Sequence, residues 1–220
     1  MIQPAGEAGG IFALWAMNIP PASLAGRLYR SKVHMSDQSL AQHYLDDALK
    51  TFRDYKKLAE RALAQVSDED FFDTLDPESN SIAVNVKRMA GNMLSRWTDF
   101  LTTDGEKPNR ERDMEFVILP DTRKSDLLAY WEKGWQCVFD AIEPLGPDDL
   151  LRAVLIRGQQ HTVMQAINRQ IAHYAYHVGQ IVYLAKHFKS TEWQSLSVPR
   201  NKSAEFNAYL EQKSAERSAR

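Results

Sequence analysis

An all-α fold, a four-helix bundle, is predicted by three features of the chain. Four stretches of roughly 20 to 30 residues carry apolar side chains every three or four positions. The connections between them are short to moderate and polar, which suits antiparallel neighbours. The length of 220 residues, 44% of them hydrophobic, fits one substantial core rather than two.

The first helix runs from about residue 37 to 66, with Tyr44, Ala48, Phe52, Tyr55, Ala59 and Leu63 on one face. The second begins after Asn80-Ser81, carries Ile82, Val86, Met89, Met93, Trp97 and Phe100 inward, and has Asp104-Gly105 as its stop. A loop with the word GEKPNRERD, residues 105–113, follows. The third helix, about 125 to 145, holds Leu128, Trp131, Trp135, Val138 and Ile142 and stops at Gly146-Pro147. Residues 150–158 alternate like a strand, or form an extended linker. The fourth, about 163 to 188, starts behind Thr162, a good N-cap, with Ile167, Ile171, Tyr174, Val178, Ile181 and Ala185 on one side. A short C-terminal helix is expected near residues 203–212, so the domain spans 35–213 and 214–220 form a disordered tail.

Residues 1–34 are rich in Gly, Pro and Ala and read as an irregular N-terminal extension, either disordered or the product of a misassigned start. Met35 followed by Ser36-Asp37 makes the better start, because Ser36 can cap the helix that follows. A secretory signal needs a basic leading region, yet Glu7 is the only charge before the apolar run 11–17, which is too short to span a bilayer.

Composition narrows the function classes. A net charge of −2 gives no field for nucleic acid or an anionic membrane, so neither is an expected partner. One cysteine, Cys137, excludes an internal disulfide and a thiolate metal cage, which favours a cytoplasmic location. Its helical setting makes it a small core filler.

The word HYAYHVGQ, residues 173–180, sets His173 and His177 four apart on one helix face. Such a pair supplies two corners of a metal shell, and a catalytic site needs a third protein ligand and an open position. The bland alternative is a pair of hydrogen-bonding residues at a helix seam. His161, twelve residues upstream, would lie about 18 Å away along a helix. His43 projects away from the first helix's apolar face, His187 sits near a helix end, and His34 falls in the extension.

The blocks NVKRMAGNMLSRWTDFLTTDGEKP and INRQIAHYAYHVGQIVYLAKH resemble the DinB-like superfamily of metal-binding four-helix bundles, more narrowly a bacterial branch known as a domain of unknown function. The resemblance covers residues 36–210 and implies a divalent ion (Zn, Ni, Mn or Fe) held by the histidine pair of the last helix and a third histidine on the second. It also implies a metal-dependent hydrolase or thiol S-transferase acting on a small-molecule or thiol substrate, often as a homodimer. Here the third position is Arg88, whose guanidinium has no lone pair for a cation.

Three readings follow. In the first, a degraded site holds metal through His173, His177 and waters, with Asn92 lending its amide oxygen. In the second, a metal-free site uses Arg88 as a substrate-binding group for a carboxylate or phosphate, the histidines donating hydrogen bonds. In the third, Arg88 swings out and the seam is purely structural. Gln180 either makes an ordinary hydrogen bond in the seam or orients a water or ligand. Residues 105–113 read as a solvated, mutually paired loop, or as a rim over the bundle mouth with Arg110 or Arg112 addressing an anionic substrate; the segment SLSVPRN at 195–201 packs back on the bundle, and Trp97, Trp131, Trp135 and Tyr174 belong to the core.

Overall fold

The computed structural model describes residues 40–218, with side chains through 216; the expectations for 1–34 and for a first helix starting at Asp37 lie outside the described residues. The described chain is predominantly helical. Its elements are α1 (Leu40–Leu63), α2 (Asp68–Phe72), α3 (Ile82–Trp97), α4 (Lys124–Ile142), β1 (Ala153–Ile156), β2 (Gln159–Thr162), α5 (Val163–Lys189) and α6 (Ser203–Ser218).

Helix starts follow the capping chemistry of the sequence. The Ser81 hydroxyl accepts from Val84 N at 3.1 Å. Thr162 and Gln165 form a reciprocal capping box, at 3.1 and 2.8 Å. Ser67 caps the short α2, which was not expected from the sequence, by accepting from Asp70 N at 3.1 Å. The end of α3 departs from expectation: it stops at Trp97 rather than at Gly105. Asp99 turns left-handed (φ 47°), and its carbonyl accepts from the amides of Thr102 and Thr103 at 3.0 and 2.9 Å. Phe100 thereby returns to the core.

Helix α3 packs on α4 and α5, and α1 packs on α5 and α4. At their centre Phe52, Trp97, Trp135 and Tyr174 are fully buried. Phe52 meets Trp97, Trp135 and Tyr174 at ring separations of 6.3, 6.4 and 5.7 Å. Trp97 Nε1 donates to the Tyr174 hydroxyl at 3.0 Å, so this pair enters the core with those polar atoms satisfied, whereas the indole nitrogens of Trp131 and Trp135 are buried without a protein partner.

The alternating segment at 150–158 proves to be the first arm of a hairpin, β1 pairing antiparallel with β2. Arg157 (φ 56°) and Gly158 (φ 71°) form its two-residue turn, a backbone that favours glycine. The Asp104 carboxylate latches this turn, accepting from the amides of Arg157 (2.8 Å) and Gly158 (2.6 Å) as well as Glu106 (2.7 Å). Gly105 N adds a bond to Leu155 O at 2.8 Å. Helix α6 runs to Ser218, beyond residue 213 where a disordered tail is expected, through a run of good helix formers; its side chains through 216 are exposed. Among the described residues no helix is long and apolar enough to cross a membrane.

Candidate functional site

The inward stripe of α3 is not purely apolar. Between Ile82, Val86, Met89 and Met93 the helix also buries Asn85, Asn92, Ser95 and Arg96. Facing it, α5 buries Gln170 and His177 and half-buries His173. A polar seam therefore runs between two helices that otherwise close on hydrophobic contacts.

Both histidines are oriented by carboxamides. His177 Nδ1 lies 2.9 Å from Gln180 Oε1 and 3.2 Å from Asn85 Oδ1. Asn85 keeps that oxygen toward the ring because its Nδ2 donates to Ser81 O at 3.0 Å. His173 Nδ1 lies 3.3 Å from Gln170 Oε1. Oxygens at Nδ1 make that nitrogen the donor and leave the lone pair on Nε2 in both rings. The rings sit edge to face, 4.8 Å apart.

Neither ring favours protonation. Burial, then His177, Arg110, Arg96 and Arg88, push His173 down to about 4. Burial and Arg88 also lower His177, against a hydrogen bond to Gln180 that raises it. At neutral pH both imidazoles are uncharged.

Three arginines surround the pair. The Arg88 guanidinium lies 3.7 Å over the Phe116 ring, a cation–π contact, and its Nε is buried without a protein partner. Arg96 is only 4% exposed, and both its Nε and Nη1 lack a protein acceptor. Arg110 donates through Nε and Nη2 to the two oxygens of buried Glu115 at 2.8 and 2.9 Å, leaving Nη1 unsatisfied. Glu115 fits only because residue 91 is glycine: a Cβ there would come within 2.3 Å of Oε1. Arg112 pairs with Glu106, so both arginines of the loop are held by ion pairs within it, as a mutually paired loop expects.

The orphaned Asn92 Oδ1 is also buried. A cleft of about 740 Å³ adjoins this region, with Ser95, Lys107, Arg110, Glu115, Tyr130 and Lys133 in its wall. A second, of about 880 Å³, is lined by Trp97, Phe100, Leu101, Cys137 and Leu145; His173, His177, Arg88 and Arg96 line neither cleft.

The residues present do not supply the three-ligand set that the resemblance implies. Among the described residues no three His, Cys, Asp or Glu side chains converge as ligands. His161 lies on β2, while His43 and His187 are exposed. The arginines that join burial in lowering His173 would act with twice the strength on an ion of charge two.

Sequence reasoning singled out His173, His177, Arg88 and Asn92 as candidates, and they lie on the two facing helices, with Gln180 on His177. It missed Asn85, Arg96 and Gln170. The available signal was position: 85, 89, 92 and 96 follow three- and four-residue steps along the stripe that carries Met89, so polar residues there face inward.

A family profile described as "Protein of unknown function (DUF1572)" matches residues 39–202. The chain belongs to this family. No curated protein matches the chain. In this DUF1572 member the match spans both helices of the polar seam, the arginine-bearing loop between α3 and α4, and the hairpin.

Proposed function

We propose that the protein is a DinB-like four-helix bundle, formed by α1, α3, α4 and α5, that binds a small carboxylate- or phosphate-bearing ligand without metal. One observation carries this reading: Arg88, Arg96 and Arg110 each keep a buried N–H with no protein acceptor, around one pair of histidines. An unsatisfied buried donor costs about 1–3 kcal/mol, more on a charged group, and an oxyanion supplies acceptors for several at once. The neutral imidazoles offer Nε2 lone pairs to a hydroxyl, thiol or amide on the same ligand. The DinB-like assignment rests on the sequence resemblance and on the long helices packing pairwise.

The metal-dependent hydrolase or thiol-transferase reading is favoured by one feature, the anchoring of both Nδ1 atoms by carboxamides, since metal-ligating histidines are oriented in this way. Metal content by plasma mass spectrometry separates the two. The anion reading expects wild type to stay far below one ion per chain after equilibration with Zn²⁺, Ni²⁺, Mn²⁺ or Fe²⁺. Near-stoichiometric metal, lost in His173→Ala/His177→Ala, would overturn it in favour of the metal enzyme. Acetate and inorganic phosphate, titrated at fixed ionic strength and followed by ¹⁵N NMR at the arginine Nε–H groups, are expected to bind saturably, and Arg88→Gln to weaken binding at least tenfold. No saturable shift in wild type refutes anion binding.

A further inference from the structure

The chain carries two apolar surfaces that its own packing leaves uncovered. The first is α6. Every described side chain from Ser203 to Glu216 is exposed, so the bundle buries none of them. A lone helix of 16 residues is marginal in water, because most helical stability comes from packing an amphipathic face. Such a face exists here. Tyr209 and Leu210 stand three and four residues after Phe206 and share its side of the helix, the three being 37–49% exposed. Lys213 continues that side, its Nζ 5.0 Å from the Tyr209 ring centre. Of the helix's acids, Glu205 is taken by Lys202 at 2.6 Å and Glu216 accepts from Gln212 at 3.2 Å. Glu211, five residues past Phe206, lies near the opposite side.

The second surface is the loop at 113–121. Met114, Phe116, Val117 and Leu119 are 42–53% exposed, large apolar side chains crowded into six residues. The segment is held firmly from behind. Lys87 Nζ donates to Met114 O at 2.8 Å and to Val117 O at 2.6 Å, and Arg110 fixes Glu115 between them in the notch at Gly91. A platform ordered in advance loses little freedom when a partner lands on it. Its fringe is acidic: Glu111, Asp113 and Asp121 are exposed, and among the described residues none of the three has an ion-pair partner. The cations of the same loop are held by other acids, Arg110 by Glu115, Arg112 by Glu106 and Arg123 by Asp126.

We infer that α6 of one chain lies on the 113–121 platform of a second copy, in a reciprocal exchange that gives a two-fold pair. Phe206, Tyr209 and Leu210 cover the apolar side chains of the platform, and Lys213 comes among its acids. A second copy is the partner because both halves of the contact, an acid-fringed apolar platform and an apolar helix face ending in a cation, belong to one chain and are left open by it. Laying an amphipathic helix on an apolar surface also supplies the packing that the lone helix lacks. The inference goes beyond the anion reading and does not depend on it.

Sedimentation velocity on the full chain is expected to show a concentration-dependent species of twice the chain mass, with amide exchange of residues 206–213 slowing as it fills. Two variants change only exposed side chains and so spare the fold: Phe206→Ser/Leu210→Ser on the helix and Met114→Ser/Leu119→Ser on the platform. Each alone is expected to weaken pairing at least tenfold. Mixed in equal amounts, the two are expected to associate again, because the intact helix of one meets the intact platform of the other. Lys213→Glu is expected to weaken pairing several-fold, and unchanged affinity would overturn the charge match that selects this partner. A wild type that stays monomeric overturns the inference, slow exchange in α6 then placing the helix on its own chain and fast exchange leaving it for a different partner. Pairing that survives both double variants overturns it by assigning the dimer to another face. Loss in each without recovery on mixing overturns the exchange of helix for platform.

Discussion

Acidification from pH 7.5 to 5.0 in a buffer free of carboxylate and phosphate gives the seam a measurable stability signature. His173 has an ordinary pKa of 6.5 and a folded value of about 4. It is faced by His177 on its own helix, by Arg88 and Arg96 on α3, and by Arg110 on the overlying loop. Between the two pKa values the unfolded chain binds the proton and the folded chain does not. The stability this ring contributes is therefore full above pH 6.5, declines as pH falls toward 4, and is flat below. Linkage over that interval gives a loss of about 2 kcal/mol by pH 5. His177, lowered in the same direction, adds to it. With a urea m-value of about 2 kcal/mol/M the midpoint moves by about 1 M. The assay compares urea midpoints of wild type and His173→Gln at both pH values; carboxylates elsewhere titrate alike in the two proteins and cancel. Wild type should lose about 2 kcal/mol more than the variant on acidification. Equal losses, or an NMR titration of His173 near its ordinary value, would refute the argument that buried cations and burial hold this ring neutral.

Two substitutions probe the supports of the site. Gly91→Ala gains helix propensity of about 1 kcal/mol yet drives a methyl group into Glu115 and away from its bidentate Arg110 partner, so a net loss of about 1–2 kcal/mol is expected in urea melts; a more stable variant would contradict the close approach. Asp104→Ala removes the acceptor of three backbone amides, and a loss of about 2 kcal/mol is expected, with faster hydrogen exchange at Arg157 and Gly158; unchanged exchange there would show that the turn holds without the latch.

The long helices could be read from the chain because their information is local. Thr162 and Gln165 announce a helix start by chemistry that acts over one turn, as does Ser81. What could not be read depends on distant partners. Helix α3 stops at Trp97 because Asp99 adopts a left-handed backbone, a conformation the stretch Trp97-Thr98-Asp99 does not advertise, whereas Gly105 does and is used instead to pair with Leu155. The strand-like alternation at 150–158 left hairpin and linker open, since the deciding contact comes from Asp104, more than fifty residues upstream. At the site, the four-residue spacing of His173 and His177 places both rings on one face from sequence alone. Arg96 resembles a surface residue by type; only its register with Met89 and Met93 puts it inside, and only the fold brings Arg110 and Glu106 near it.

The Asp104 latch has a topological consequence. By joining residue 104 to the turn at 157–158 it closes a loop of backbone of which α4 is one side, like a buckle on a belt. Both ends of α4 are thereby tied to one clasp, which restrains its swing away from α3 while the buckle is fastened. Opening of α4 and fraying of the hairpin thus become one event, and hydrogen exchange in both should report a single cooperative unit, with the arginine-bearing loop at 105–116 held inside it.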